Sequence, residues 1–185
     1  MRIISGKKKG LRLMAPKKLP VRPTTDMAKE ALFNILNNNY YFEDLKVLDL
    51  FSGTGNISYE FASRGTENII AVDAHQGCVR YISETAEKNE FPINAVKKDV
   101  YEYLEKTSTK AHIIFADPPY DFPLSDFSQI ANLVFEKELL LENGVLIIEH
   151  PKHTDLSEIA HYTNQRRYGG SIFSFFEWTG DVETP

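Results

Sequence analysis

Cysteine is almost absent from this chain: Cys78 is the only one among 185 residues. A single thiol excludes an internal disulfide, and the lack of a Cys-x-x-Cys pair removes the usual thiolate set for zinc or an iron–sulfur cluster. No apolar run approaches the roughly 20 residues needed to cross a bilayer. The opening Met1-Arg2-Ile3-Ile4-Ser5-Gly6 lacks the charged-then-apolar layout of a signal peptide. These absences predict a cytoplasmic protein with no membrane partner. Missing as well are a Gly-x-x-x-x-Gly-Lys phosphate loop and the His-x-Glu with Pro-Cys-x-x-Cys signature of zinc deaminases. His150 and His153 form a His-x-x-His pair, but without a cysteine nearby they read as surface or loop residues, and no metal is expected.

Acidic residues are absent from the first 22 positions, which carry eight basic ones: Arg2, Lys7, Lys8, Lys9, Arg12, Lys17, Lys18 and Arg22. That leaves 13 of the 21 basic residues against all 26 acidic ones, so the net charge of -5 conceals a basic arm on an acidic body. A charge cluster is commonly just a solvated face. Here the complete lack of acids, with interruptions at Gly6, Gly10 and Pro16, favours an arm that grips phosphates.

The length and the 42% hydrophobic content suit one domain with a small appendage. Residues 1–22 form the arm, with two short strands, 2–5 and 11–14, around a Lys-rich turn; 23–178 form the main domain, and 179–185 a loose acidic tail. Thr24 or Thr25 can cap a helix whose buried stripe is Ala28, Ala31, Leu32, Ile35 and Leu36, one face at helical spacing. From Lys46 onward apolar runs alternate with amphipathic stretches, the pattern of a parallel sheet covered on both faces. Strands are predicted over 46–51, 68–73, 93–98, 111–117 and 145–150, with helices over 57–64, 77–89, 100–106 and 127–138. Residues 160–168 and 171–178, joined by Gly169-Gly170, read as an antiparallel hairpin.

Asp49-Leu50-Phe51-Ser52-Gly53-Thr54-Gly55 lies where the first strand gives way to a helix. Glycines there permit a sharp turn and close approach of a ligand, although a tight turn with no ligand fits equally well. Asp73, about twenty residues on, stands at the end of the second strand, where a carboxylate can accept from both ribose hydroxyls. That ribose belongs to NAD and to S-adenosylmethionine alike. Ser58 occupies the position of the third glycine of a dinucleotide fingerprint, which weighs against NAD. Asp99 follows the third strand and either accepts from an adenine amino group or caps the next helix.

Asp117-Pro118-Pro119-Tyr120 follows the apolar strand Ile113-Ile114-Phe115-Ala116. Two prolines stiffen the exit and supply no N–H, so the box is rich in acceptors and suits an amino group as guest. The amine of a nucleic-acid base is a poor nucleophile because its lone pair is delocalised into the ring. Hydrogen bonds to the Asp117 carboxylate and the Pro118 carbonyl favour a more tetrahedral nitrogen, while Tyr120, helped by Phe122, can stack on the base.

The glycine turn and the Asp-Pro-Pro-Tyr box together resemble the class I amino-methyltransferases. Arg2-Ile3-Ile4-x-Gly6, Arg22-Pro23-Thr24, Glu30-Ala31-Leu32-Phe33-Asn34-Ile35-Leu36, Ser63-Arg64-Gly65 and Tyr168-Gly169 extend the likeness over nearly the whole chain, to the bacterial family that methylates guanine N2 in small-subunit ribosomal RNA. Lys29 stands where that family more often has arginine and Asp73 where it often has glutamate. The resemblance implies a seven-stranded Rossmann-like α/β sheet of order 3-2-1-4-5-7-6 and S-adenosylmethionine as methyl donor. It also implies a 16S ribosomal RNA substrate, naked or in an assembling particle, and a monomer. Asp117, Pro118 and Tyr120 become the catalytic candidates, and Asp49, Phe51, Gly53, Gly55, Asp73 and Asp99 the cofactor contacts. Arg2, Lys7, Lys8, Lys9, Arg12 and Arg22 become the RNA contacts. The alternatives are a DNA adenine or other amino-methyltransferase of this fold, and an RNA-binding assembly factor without turnover.

Overall fold

Five apolar runs form parallel strands and the C-terminal hairpin completes the sheet, as a computed structural model describing residues 1–21 and 24–178 shows. The strands are β1 (Lys46–Leu50), β2 (Asn68–Asp73), β3 (Ile93–Lys97), β4 (Ala111–Ala116), β5 (Leu140–Pro151), β6 (Tyr162–Tyr168) and β7 (Ser171–Phe176). Their order is β3-β2-β1-β4-β5-β7-β6, with β7 antiparallel to both neighbours. The helices are α1 (Asp26–Asn37), α2 (Asn56–Ser63), α3 (Gln76–Asn89), α4 (Val100–Lys106) and α5 (Leu124–Glu136). Alternation along the strands divides the apolar residues into two clusters, one per face. Val47, Ile113 and Ile147 pack with α1, α2 and α3, whereas Leu48, Ile114 and Ile148 pack with α4 and α5.

Several expectations from the sequence are corrected. The strand predicted over 145–150 begins at Leu140, with Asn143 (φ 58) and Gly144 carried within it where the β4–β5 register shifts. The last helix begins directly after Pro123 rather than at Phe127. The arm makes only one antiparallel bridge, Arg2 to Arg12, instead of two strands. Ile3 and Leu13 donate across the arm to the Leu11 and Met1 carbonyls (2.9 and 3.0 Å), but the next amides turn to α2: Ile4 and Ser5 donate to the Glu60 carboxylate (2.9 and 3.0 Å), and Lys7 donates to the Ser63 carbonyl (2.7 Å). Gly6 makes this approach possible, since a Cβ at its φ of 84° would run into the Ser63 carbonyl oxygen. Ile3 and Leu13 of the arm are buried in the same cluster as α1 and α2.

The buried face of α1 is also turned relative to expectation. Thr25 caps the helix, and Ala28, Leu32 and Leu36 are buried, but Lys29 and Phe33 join them while Ala31 and Ile35 are half-buried. Lys29, fully buried, donates to the Arg2 carbonyl (2.6 Å) and Asn56 Oδ1 (2.9 Å), and lies 3.4 Å from Glu60. Burial pulls the proton affinity of the Lys29 amine down, and Glu60 opposes that pull. Glu60 also accepts from Arg64 (2.9 Å), whose guanidinium lies over the Phe33 ring, so one charge network joins arm, α1 and α2. His150, expected at the surface, is fully buried because β5 runs between β4 and β7; its Nε2 lies 2.8 Å from Ser174 Oγ. Arg22 and residues 179–185 lie outside the described residues.

Candidate active site

A cleft of about 560 Å³ opens at the carboxyl ends of β1, β2 and β4, the edge at which open α/β sheets bind ligands. The glycine turn forms one wall. Gly55 precedes α2 at φ 83, a conformation that suits glycine, and an added Cβ there would meet the Tyr59 ring at 2.8 Å. The turn aims its amides across the strand ends: Gly53 N donates to Asp73 Oδ2 (2.8 Å), while Asp73 Oδ1 accepts from His75 N (2.8 Å). Phe51, at φ 54, sets its ring edge-on to Phe122, 5.7 Å between centroids.

The candidate cofactor residues Asp49, Phe51, Gly53, Asp73 and Asp99 all line this cleft, and Gly55 shapes the turn behind it. Asp99 caps α4, its Oδ1 accepting from the Tyr101 and Glu102 amides (3.0 and 3.1 Å), and it borders the cleft from that position. Ser58, where a dinucleotide fingerprint would have glycine, donates to Asp49 Oδ2 at 2.6 Å. Burial nevertheless pushes the Asp49 carboxyl up to about 7.

The box enters from the neighbouring strand. Because β1 and β4 pair directly, with Leu50 beside Ala116, Asp117 and Pro118 emerge next to the glycine turn, and Asp117, Pro118, Pro119 and Tyr120 all border the cleft. Burial, and then Glu149 and Asp49, hold the Asp117 carboxyl well above the ordinary carboxylate range. Sequence reasoning missed Glu149, which is buried and accepts from Thr24 Oγ1 (2.7 Å) and the Tyr120 hydroxyl (3.2 Å). Its only signal was an acid at the end of an apolar strand. Ser52, also missed, lines the cleft, and its buried hydroxyl has no hydrogen-bond partner among the described residues.

Of the candidate RNA contacts, Arg2, Lys7, Lys9 and Arg12 are exposed and Lys8 is half-buried. Arg2 is paired with Asp26 at 3.2 Å. Among the described residues no His, Cys, Asp and Glu group of three or more could hold a metal ion, and no helix is long and apolar enough to cross a membrane.

Comparison with known proteins adds an independent line. A candidate rRNA methyltransferase of Bacillus subtilis, YlbH, is 34% identical over 163 residues, covering 85% of this chain and 86% of its own. Ribosomal RNA small subunit methyltransferase D of Haemophilus influenzae is 25% identical over 180 residues, covering 95% and 91%. The solved structure of a hypothetical protein of Thermus thermophilus superposes with a TM-score of 0.82 at 26% identity, covering 96% of this chain and 99% of that one. The family described as conserved hypothetical protein 95 matches residues 1–177, and the chain belongs to it.

Proposed function

We propose that this protein transfers a methyl group from S-adenosylmethionine to the exocyclic N2 amine of a guanine in small-subunit ribosomal RNA. The observation that carries the reading is the meeting of the glycine turn and the Asp-Pro-Pro-Tyr box in one cleft, at the ends of adjacent strands. The charges there suit the cofactor. Asp49 and Asp117 line the cleft as acids held largely out of water, an environment that repels a pyrophosphate and welcomes a sulfonium cation. Asp73 is the acceptor for the ribose hydroxyls and the exposed Asp99 the one for the adenine amine. The names of the relatives support an RNA substrate.

When bound, S-adenosylmethionine supplies an electrophilic methyl group; the chain's own residues prepare the nucleophile. The Asp117 carboxylate and the Pro118 carbonyl accept the two amino hydrogens, turning the nitrogen lone pair toward the methyl. The Tyr120 ring, held through its hydroxyl by Glu149 and Ser171, offers a face to the base. The proton that the amino nitrogen would give up on taking the methyl group would pass to Asp117, which holds that hydrogen and whose proton affinity burial raises. A stacked guanine cannot reach this depth, so the target is flipped out or taken from an exposed loop.

Incubation with labelled S-adenosylmethionine and naked RNA, ribosomal particles lacking the modification, or DNA tests the assignment: the label should enter guanine N2 of small-subunit RNA, and label in DNA alone would refute it. S-adenosylmethionine should also raise the melting temperature where NAD does not. Because the cation binds the ionised form of Asp49, that rise should shrink as the pH falls from 8 to 6, through the carboxyl's value of about 7. A rise produced by NAD alone would refute the cofactor.

The arm is the RNA grip in this reading. Replacing Lys7, Lys8 and Lys9 by alanine should weaken RNA binding and flatten its salt dependence, by roughly one counterion for each lost phosphate contact, with cofactor affinity unchanged. An unaltered salt slope would leave these lysines as a solvated face.

A further inference from the structure

Glu149 is a buried acid near the end of β5, only 1% exposed. It follows Ile148, which pairs with Ala116 on β4, so the parallel ladder sets Glu149 beside Asp117. Among the described residues its recorded partners are hydroxyls: Oε2 accepts from Thr24 at 2.7 Å and Oε1 from Tyr120 at 3.2 Å. Tyr120 Oη also lies 3.1 Å from Ser171 Oγ on β7. The Thr24 carbonyl in turn accepts from Asn56 Nδ2 (3.0 Å), at the start of α2. A carboxylate withdrawn from water and held by hydroxyls is costly, and an amide or an apolar side chain would fill a strand position at less cost. The bonds instead join the entry to α1, the end of β5 and the box at a single point.

Resting on the methyltransferase reading, we propose that Glu149 is a positioning residue: with one oxygen on Thr24 and the other on Tyr120, it fixes the Tyr120 ring so that the target base enters with its amino group on Asp117. Single-turnover methylation of Glu149→Gln, Tyr120→Phe and the double variant tests this. Each single change should slow methyl transfer by roughly tenfold, with the cofactor-induced rise in melting temperature retained. The double variant should be no slower than the slower single one, because Glu149→Gln takes away the charge that strengthens the bond to the Tyr120 hydroxyl and Tyr120→Phe removes that same bond outright. Losing the charge of Glu149 should also move the acid limb of the rate profile to lower pH, since ionisation of Asp117 is then opposed by burial and, of the neighbouring acids, by Asp49 from β1 alone, with Tyr120 beside it in its own loop. Multiplicative losses in the double variant, or a parental rate in Glu149→Gln with only a lower melting temperature, would overturn the proposal. Should Glu149→Gln not fold, Tyr120→Phe tests the bond from its other end, and a parental rate there overturns it equally. A parent protein that methylates no RNA would instead sink the assigned function.

Discussion

Asp117→Asn should bind cofactor and RNA with near-parental affinity and yet transfer methyl groups about 10²- to 10³-fold more slowly. The carboxylate holds an amino hydrogen most strongly as the nitrogen becomes tetrahedral and gains positive charge, so its contribution belongs to the transition state. Asparagine keeps the shape and one acceptor oxygen and loses only the charge. Asp117→Ala should fall at least as far, and Tyr120→Ala less, because stacking chiefly orients the base. The depth of the site sharpens the expectation: burial, and then Glu149 and Asp49, oppose ionisation of Asp117, so the loss should be largest at alkaline pH, where the parent carboxyl is ionised. Single-turnover rates at saturating RNA measure the effect, and near-parental rates for both Asp117 variants would mean that methyl transfer takes place elsewhere.

Glu60→Ala should be the most destabilising of the substitutions considered, by about 3–5 kcal/mol in urea unfolding, because it strands a fully buried ammonium. Lys29 would keep its bonds to the Arg2 carbonyl and Asn56 but lose its counter-charge, Arg64 would lose its anchor, and the Ile4 and Ser5 amides would lose their acceptor. The arm should therefore loosen together with the fold, and RNA affinity should fall even though no basic residue has been touched. Glu60→Ala combined with Lys29→Met should recover part of the loss, since the stranded charge is then gone. A loss below about 1 kcal/mol for Glu60→Ala would show that the network carries little of the stability.

Much of this architecture was legible before any coordinates. Apolar runs with period two or near-continuous burial marked β1 to β4 to within a residue, because burial on both faces requires such runs. The glycine turn and the proline box were equally plain, since a left-handed backbone or a strand exit without N–H groups restricts which residues can stand there. The order of the strands, by contrast, came from resemblance rather than from periodicity. Local pattern fails wherever the deciding partner is distant. Lys29 reads as an exposed position on an amphipathic helix until Glu60 of α2 is set beneath it, and His150 reads as surface until β7 closes over β5. Glu149 and Thr24 stand 125 residues apart, and nothing in either neighbourhood announces the other.

By itself the sequence determined the alternation of strand and helix, the two boxes and the concentration of positive charge in the first 22 residues, because each depends on residue type at short spacing. The tertiary structure alone decided which acids are buried, which hydroxyls hold them, and that the arm gives the amides of Ile4, Ser5 and Lys7 to α2. The reason is that desolvation and hydrogen bonding are properties of pairs brought together by strand order and register, and a polar side chain becomes tolerable in the interior only once its partner is there to meet it.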